Sequence, residues 1–337
     1  MTILERWGLF YINRHVNSKA CFLKRISTQS LTRIAIVLSF VIGFAITLLI
    51  VLADLTIFSD LAQVLSSSKL LSLLIAINVV LVGLEFWLLF HLSFYVVACY
   101  IANINDHQCI SKKVKASLVR AVLELNEPKI ERFGLNPYRQ INKHYWLTLV
   151  LYKAKVLISN ALAKLVARKI LTRVGLRSYA PLIATLITGA WDAWIQEAVL
   201  KEVRFRISGR LYVLKLLANI HAGQRTPMYI ETVIRLLALR IEYYGSYNVN
   251  LDYLIVALDK QMDGSVKDFP DLFDYQLLKD SYAQLSSEEQ HDCRNIMAHL
   301  MAFKCKKLSN NELALGRIFS LTMDDVKRIK QHYEALA

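Results

Sequence analysis

From Ile34 to Ala53 the chain runs for twenty residues without a charge (IAIVLSFVIGFAITLLIVLA). At ~1.5 Å rise per residue such a helix matches the ~30 Å hydrocarbon core of a bilayer. The run predicts a transmembrane helix over 34–53. A second apolar run extends from Leu70 to about Ile101, interrupted by Glu85 and His91. It is longer than one crossing needs, so it tilts or continues beyond the membrane. Basic residues cluster before the first run (Arg6, Arg14, Lys19, Lys24, Arg25, Arg33) and after the second (Lys112, Lys113, Lys115, Arg120), whereas the connecting loop has Asp54, Asp60 and Lys69. The positive-inside rule then places both chain ends in the cytoplasm, with a short loop outside. A cleaved signal peptide has a shorter apolar region and a small-residue cleavage site, so the chain is expected to keep this span.

Glu85 and His91 are the intramembrane polar positions. An ionisable residue in a span marks an ion or proton path or a polar contact between subunits, the other readings being a shifted span or a Glu85 that is protonated or hydrogen-bonded inside a helix pair. At ~100° per residue the six-residue spacing sets His91 well away from the face of Glu85, so the two do not form a dyad.

Beyond the spans, Pro128 and Pro137 break the chain. Apolar and basic residues then alternate at helical spacing from about Asn142 to Val174, ending with Arg173 and Gly175 as a helix C-terminus should. A second helix is predicted from near Tyr179, with Pro181 in its first turn, to just before Gly209. Its first fourteen residues, Ser178 to Trp191, are uncharged. That is too short for a crossing and fits a core, re-entrant or interfacial helix. Trp191 and Trp194 stand where the charge begins, and indoles favour an oil–water boundary. Glu197 with Lys201 and Glu202 with Arg206 are pairs four apart, so this charged half reads as solvated. Further on, capping boxes at Ser286 and Glu289, Ser309 and Glu312, and Thr322 and Asp325 predict a bundle of short helices.

Composition agrees with a membrane chain. It is 55% hydrophobic and 20% charged, with only 5 Pro and 11 Gly, which excludes disorder and disfavours a β-rich fold. Mean hydropathy is +0.35. Five widely spaced cysteines without a C-x-x-C pair argue against a disulfide framework. Of the net charge of +14, residues 1–203 hold 23 Lys and Arg against 11 Asp and Glu, and residues 204–337 hold 18 against 16. Between Arg132 and Trp191 there are ten basic residues and no acid. Such charge beside apolar spans points to an anionic lipid surface, worth ~1 kcal/mol per residue near it. With no nucleic-acid-binding motif, nucleic acid is not the expected partner.

Motifs for chemistry are sparse. His291 and His299, eight apart, lie ~80° from each other on a helix and form a weak metal pair. Glu288 and His291 make one E-x-x-H, but the facing pair that bundle metal sites use is missing. His291–Asp292 is a His-Asp dipeptide without identifiable partners. Asp259 to Gly264 begins like a calcium loop, but Pro270 occupies the position that needs a bidentate Glu. Asp192 and Glu197 sit ~140° apart on a helix, which favours solvated or interhelical roles over an acid–base pair. No phosphate loop, nucleophile elbow or kinase signature is found. No catalytic residue and no cofactor is assigned.

The block from Gly175 to Gly209, with Pro181, Gly189, Trp191 and then Glu197, Glu202 and Phe205, resembles the apolar Pro/Gly helix of EcsC-like bacterial membrane-associated families. The end of the chain, AHLMAFKCKKLSNNELALGRIFSLTMDDVKRI, is similar to the TerB-like helical domain, with Ser309 and Glu312 at its S-x-x-E step and Lys306 and Lys307 where that family has Asp-Gly. These resemblances imply a bacterial inner-membrane protein with an envelope-associated or stress-response role. The expected architecture is all-α: a cytoplasmic segment (1–30), a transmembrane hairpin (31–102), a connecting helix and linker (103–137), a basic membrane-proximal helical pair (138–212) and a TerB-like bundle (213–337). The expected function is a non-enzymatic anchor. Arg168, Lys169, Arg173 and Arg177 contact anionic lipid, Trp191 and Trp194 form an interfacial wedge, and the bundle binds a protein partner or a second copy. The alternatives are a membrane-bound hydrolase or metal enzyme using Glu288, His291, Asp292 and His299, and a small oligomeric channel or transporter lined by Glu85.

Overall fold

The computed structural model describes residues 2–16, 26–61, 67–104, 110–123, 125, 180–222, 225–244, 249–262, 271–302 and 310–336. Every regular element among them is an α-helix. In chain order these are α1 Ile3–Val16, α2 Thr28–Leu61, α3 Ser67–Asn103, α4 Lys112–Val122, α5 Ala180–Ala222, α6 Pro227–Tyr244, α7 Val249–Gln261, α8 Tyr275–Ala283, α9 Ser287–Ala302, α10 Asn310–Ile318 and α11 Met323–Leu336. Both apolar runs lie inside single helices, α2 and α3, each long and apolar enough to cross a membrane. The predicted helix over 142–174, the residues Arg168, Lys169, Arg173 and Arg177, and Ser309 lie outside the described residues.

The chain divides into two compact units, one made of Phe10–Asn103 and Lys143–Leu200, the other of Met1–Leu9, Ile104–Asn142 and Lys201–Ala337. The division therefore falls inside α5, between Leu200 and Lys201. α5 does not stop before Gly209; it continues to Ala222. A mid-helix glycine costs only about 1 kcal/mol, and Val213, Leu216 and Leu217 on the far side of Gly209 join a hydrophobic core that holds the helix together.

In the first unit, α2 is capped by Ser27, whose hydroxyl accepts from the Ser30 amide at 3.2 Å. α2 and α3 pack as an antiparallel pair. Thr32 Oγ1 lies 2.6 Å from the Tyr100 hydroxyl, and the Asn103 amide donates to the Ile26 carbonyl at 3.3 Å. The last turns of α1 lean on α3 through rings, with Tyr11 edge-on to His91 at 5.0 Å and His15 edge-on to Tyr95 at 5.8 Å.

In the second unit α6 is central. From Thr232 to Ile241 every residue is buried, which for a helix means that neighbours cover all its faces. Those neighbours are α7, α8, α9 and α10. The enclosed polar groups are paired. Arg240, 2% exposed, meets the fully buried Glu312 at 3.0 Å, and Arg235 takes Glu231 at 2.8 Å and the Asp271 carbonyl at 3.1 Å. The capping boxes expected at Ser286 and Thr322 are formed by Glu289 and Asp325. Glu289 does more: its second oxygen accepts from the Thr226 hydroxyl at 2.7 Å, while that hydroxyl caps α6 at the Tyr229 amide. One carboxylate thus closes the starts of two helices. Burial alone would raise its pKa, but the hydrogen bonds from Thr226 and Ser286 outweigh that and hold it below the usual carboxylate range.

Candidate functional site

The first unit has an inverted polarity. Val37, Val41, Leu49, Val80, Leu186 and Trp194 are 50 to 68% exposed on its surface. Its interior holds, beside apolar side chains such as Ala35, Ile46 and Phe94, a set of polar ones: Ser39 and Thr47 on α2, Glu85 and Ser93 on α3, and Thr185, Thr188, Asp192 and Gln196 on α5, none more than 4% exposed. On α5 these positions, with the buried Gly189, follow the i, i+3, i+4, i+7, i+11 stripe of one helix face. Polar side chains thus form a seam down the middle of three helices.

Two glycines bring the helices close enough to form it. A Cβ on Gly43 would sit 2.0 Å from Asp192 Oδ2, and one on Gly189 would sit 2.8 Å from the Phe40 carbonyl oxygen. Side chains at either position would force α2 and α5 apart. Ser93 Oγ ties α3 to α5, lying 2.9 Å from Gln196 Oε1.

These contacts fix the register. The Thr32–Tyr100 bond in an antiparallel pair sets Gly43 level with Leu89 and Thr47 level with Glu85. One turn back from Gln196 on α5 is Asp192, and one turn back from Ser93 on α3 is Leu89. Asp192 lies against Gly43, so α5 runs parallel to α3 and antiparallel to α2. The seam is accordingly layered: Ser39, Ser93 and Gln196; then Gly43, Leu89 and Asp192; then Thr47, Glu85 and Thr188. The two carboxylates differ in depth by a single helical turn, ~5–6 Å along the axis. By the same register, the stretch of α5 from Ala180 to Leu200 covers the depth of Ile34 to Ala53, and Asp192 stands near the midpoint.

Several of these polar atoms are unsatisfied. Glu85 Oε1, Ser39 Oγ, Thr47 Oγ1 and Gln196 Nε2 are buried with no hydrogen-bond partner among the described residues. Between Arg33 and Lys69, both exposed near the ends of the pair, the described parts of α2 and α3 carry no Lys or Arg, and neither does α5 from Ala180 to Leu200. An unpaired polar group in a medium without water costs several kcal/mol.

The other predicted positions fall elsewhere. His91 belongs to an aromatic group on a different side of α3, with its ring 4.1 Å from Trp87 and Nδ1 3.1 Å from the Trp87 carbonyl. Trp191 and Trp194 pack on each other at 5.0 Å, Trp194 being exposed and Trp191 half-buried, either side of Asp192. His291 is exposed, whereas His299 stacks on Tyr212 at 4.0 Å, so the structure does not bring the two imidazoles together. Glu288 and Asp292 both bind Arg225, Glu288 at 3.0 Å. Among the described residues no three His, Cys, Asp or Glu side chains group as metal ligands would.

Sequence reasoning found Glu85 and left Asp192 a solvated or an interhelical role, of which the packing against Gly43 selects the second. The readable signal was the spacing of Thr185, Thr188, Gly189, Asp192 and Gln196, small or polar residues on one face of an otherwise apolar helix. No known protein family, no curated protein and no solved structure matches the chain.

Proposed function

We propose that this chain is an integral membrane protein in which α2, α3 and the first half of α5 sit in lipid, and that the helical unit continuing from α5 works at the cytoplasmic face as a non-enzymatic docking module. The inverted polarity of the first unit carries the reading. A unit dissolved in water buries its aliphatic side chains and exposes its charges, whereas lipid as solvent reverses that preference. Here Val80 is 68% exposed while Glu85 is 2% exposed on the same helix.

The positive-inside rule supports cytoplasmic termini, because Arg33 precedes the first span and Lys112 and Lys113, all exposed, follow the second. These residues, with Arg168, Lys169, Arg173 and Arg177, are the proposed contacts for anionic lipid. A docking role for the second unit is favoured over catalysis because Arg225 neutralises Glu288 and Asp292, and a protein partner or a second copy is its proposed ligand. An envelope-associated role in a bacterial inner membrane is proposed from the short motifs alone, Gly175 to Gly209 with its EcsC-like pattern and the TerB-like end of the chain.

The test is extraction. Membranes containing the full chain are washed with alkaline carbonate and then with high salt. The polypeptide is expected in the pellet after both, and its release by carbonate would refute membrane integration. If it stays, reconstitution on anionic and neutral vesicles at two salt concentrations reads the basic contacts, which salt should weaken.

A further inference from the structure

On the membrane reading just proposed, we infer that α1 is an interfacial helix lying in the anionic cytoplasmic leaflet, with Ile3 and Phe10 among the acyl chains and Arg6 and Arg14 at the lipid phosphates.

A helix turns ~100° per residue, and this divides α1 into two faces. Glu5, Leu9, Ile12 and Val16 fall within ~60° of one another, and all four are buried. Ile3, Arg6, Phe10 and Arg14 fall within ~80° on the opposite side, and all four are exposed, Ile3 by 85% and Phe10 by 64%. The helix is therefore apolar outward as well as inward, and its outward face pairs large apolar side chains with arginines. Its one acid is on the inside: Glu5 is 6% exposed and meets Arg120 at 2.6 Å. The outer face thus carries positive charge only. The excess continues along the chain, since from Met1 to Ala53 Glu5 is the sole acid beside Arg6, Arg14, Lys19, Lys24, Arg25 and Arg33.

Packing sets the depth of the helix. Tyr11 is edge-on to His91 of α3, and His15 to Tyr95. In the register of the Thr32–Tyr100 bond, these two α3 residues are level with Val41 and Val37 of α2. Those positions lie ~10 and ~5 Å inside the start of the apolar run at Ile34, at ~1.5 Å per residue. Interfacial helices hold their apolar face ~5–10 Å into the boundary between headgroups and acyl chains. Val37 and Val41 are themselves 60% and 50% exposed, so α2 presents apolar surface at the same depth and Phe10 extends it. Arginine buries its methylene stem while its head reaches toward phosphate, which lets Arg14 share a face with Phe10. The sign of that face matches the negative cytoplasmic leaflet.

Photocrosslinking of the full-length protein tests the contact. The protein is reconstituted in vesicles of phosphatidylglycerol and phosphatidylcholine with a benzophenone at the exposed position, Phe10→p-benzoylphenylalanine. After illumination, peptide mass spectrometry should find lipid attached to the α1 peptide. A crosslink to a second copy, or no lipid adduct, overturns the inference. The same label placed on the span, Val80→p-benzoylphenylalanine, should capture lipid whether or not α1 touches it. Lipid at 80 without lipid at 10 therefore overturns the interfacial helix alone, whereas lipid at neither position overturns the membrane reading as well. A second readout needs no label. Amide hydrogens of α1 in the native protein should exchange more slowly in vesicles containing phosphatidylglycerol than in phosphatidylcholine alone, by roughly fivefold for each arginine at the surface. The double variant Arg6→Gln, Arg14→Gln should lose that difference. Equal exchange in the two lipids, or an undiminished difference in the variant, also overturns the inference.

Discussion

Replacing Gly43 with alanine adds one methyl group at the closest approach of α2 and α5. The new Cβ would lie 2.0 Å from Asp192 Oδ2, 2.9 Å from its Cγ and 3.3 Å from its Cβ. More than an ångström of displacement is needed, so the whole carboxylate must swing out of its place. Overpacking of this kind costs roughly 1–3 kcal/mol, and the upper end applies because the group displaced is a buried acid. Against this stands a helix-propensity gain of about 1 kcal/mol for alanine over glycine. The net expectation is a destabilisation of about 2 kcal/mol, a drop in Tm of about 4 °C for a chain of this size. Removing the obstacle should reverse the sign. In an Asp192→Ala background only the 3.3 Å contact remains, and Gly43→Ala should be neutral or raise Tm slightly. The assay is thermal unfolding of the full-length protein in detergent, run as a double-mutant cycle. An equal loss in both backgrounds would refute the register and, with it, the placement of Asp192 in the seam.

Glu312→Gln should destabilise the second unit by about 3 kcal/mol, since it takes the buried carboxylate away from the buried Arg240; the double replacement Arg240→Met, Glu312→Leu should recover most of that loss in denaturant titration of the full chain. Cys293 is fully buried, and burial first, then the neighbouring Asp292 and Glu289 carboxylates, push its thiol up to about 12. Native protein should therefore alkylate there roughly a thousandfold more slowly than unfolded chain near pH 8, as peptide mapping would show. The Glu5 carboxylate meets Arg120 at 2.6 Å. Burial would raise its pKa, but hydrogen bonds from Thr2 and Arg120 outweigh this and set it below the ordinary value. Its stabilisation is present above the unfolded-state value and lost as pH falls through the folded one, so Glu5→Gln should flatten the acid limb of a Tm-against-pH curve.

What could be read from residues alone divides by the range of the interaction. Ile34–Ala53 was legible because length and apolarity are local quantities that a bilayer tests directly. The boxes at Ser286 and Thr322 were legible because each closes within three residues. Glu85 stood out as a charge in an apolar run. Asp192 did not, because it falls where the charge density of α5 rises, and only the packing of Gly43 against it separates a buried acid from a solvated one. The continuation of α5 past Gly209 was hidden for a similar reason: a local stop signal worth about 1 kcal/mol was outweighed by core contacts distant in sequence. Arg240 and Glu312 are likewise far apart along the chain, and no spacing rule announces their pair.

Glu289 gives two helix origins a common fate. If the first turn of α9 frays, the acid that completes the cap of α6 leaves with it, and the central helix of its unit is loosened at the same moment. Amide hydrogens at the beginnings of these two helices should then exchange with solvent in step, as though a single latch closed both.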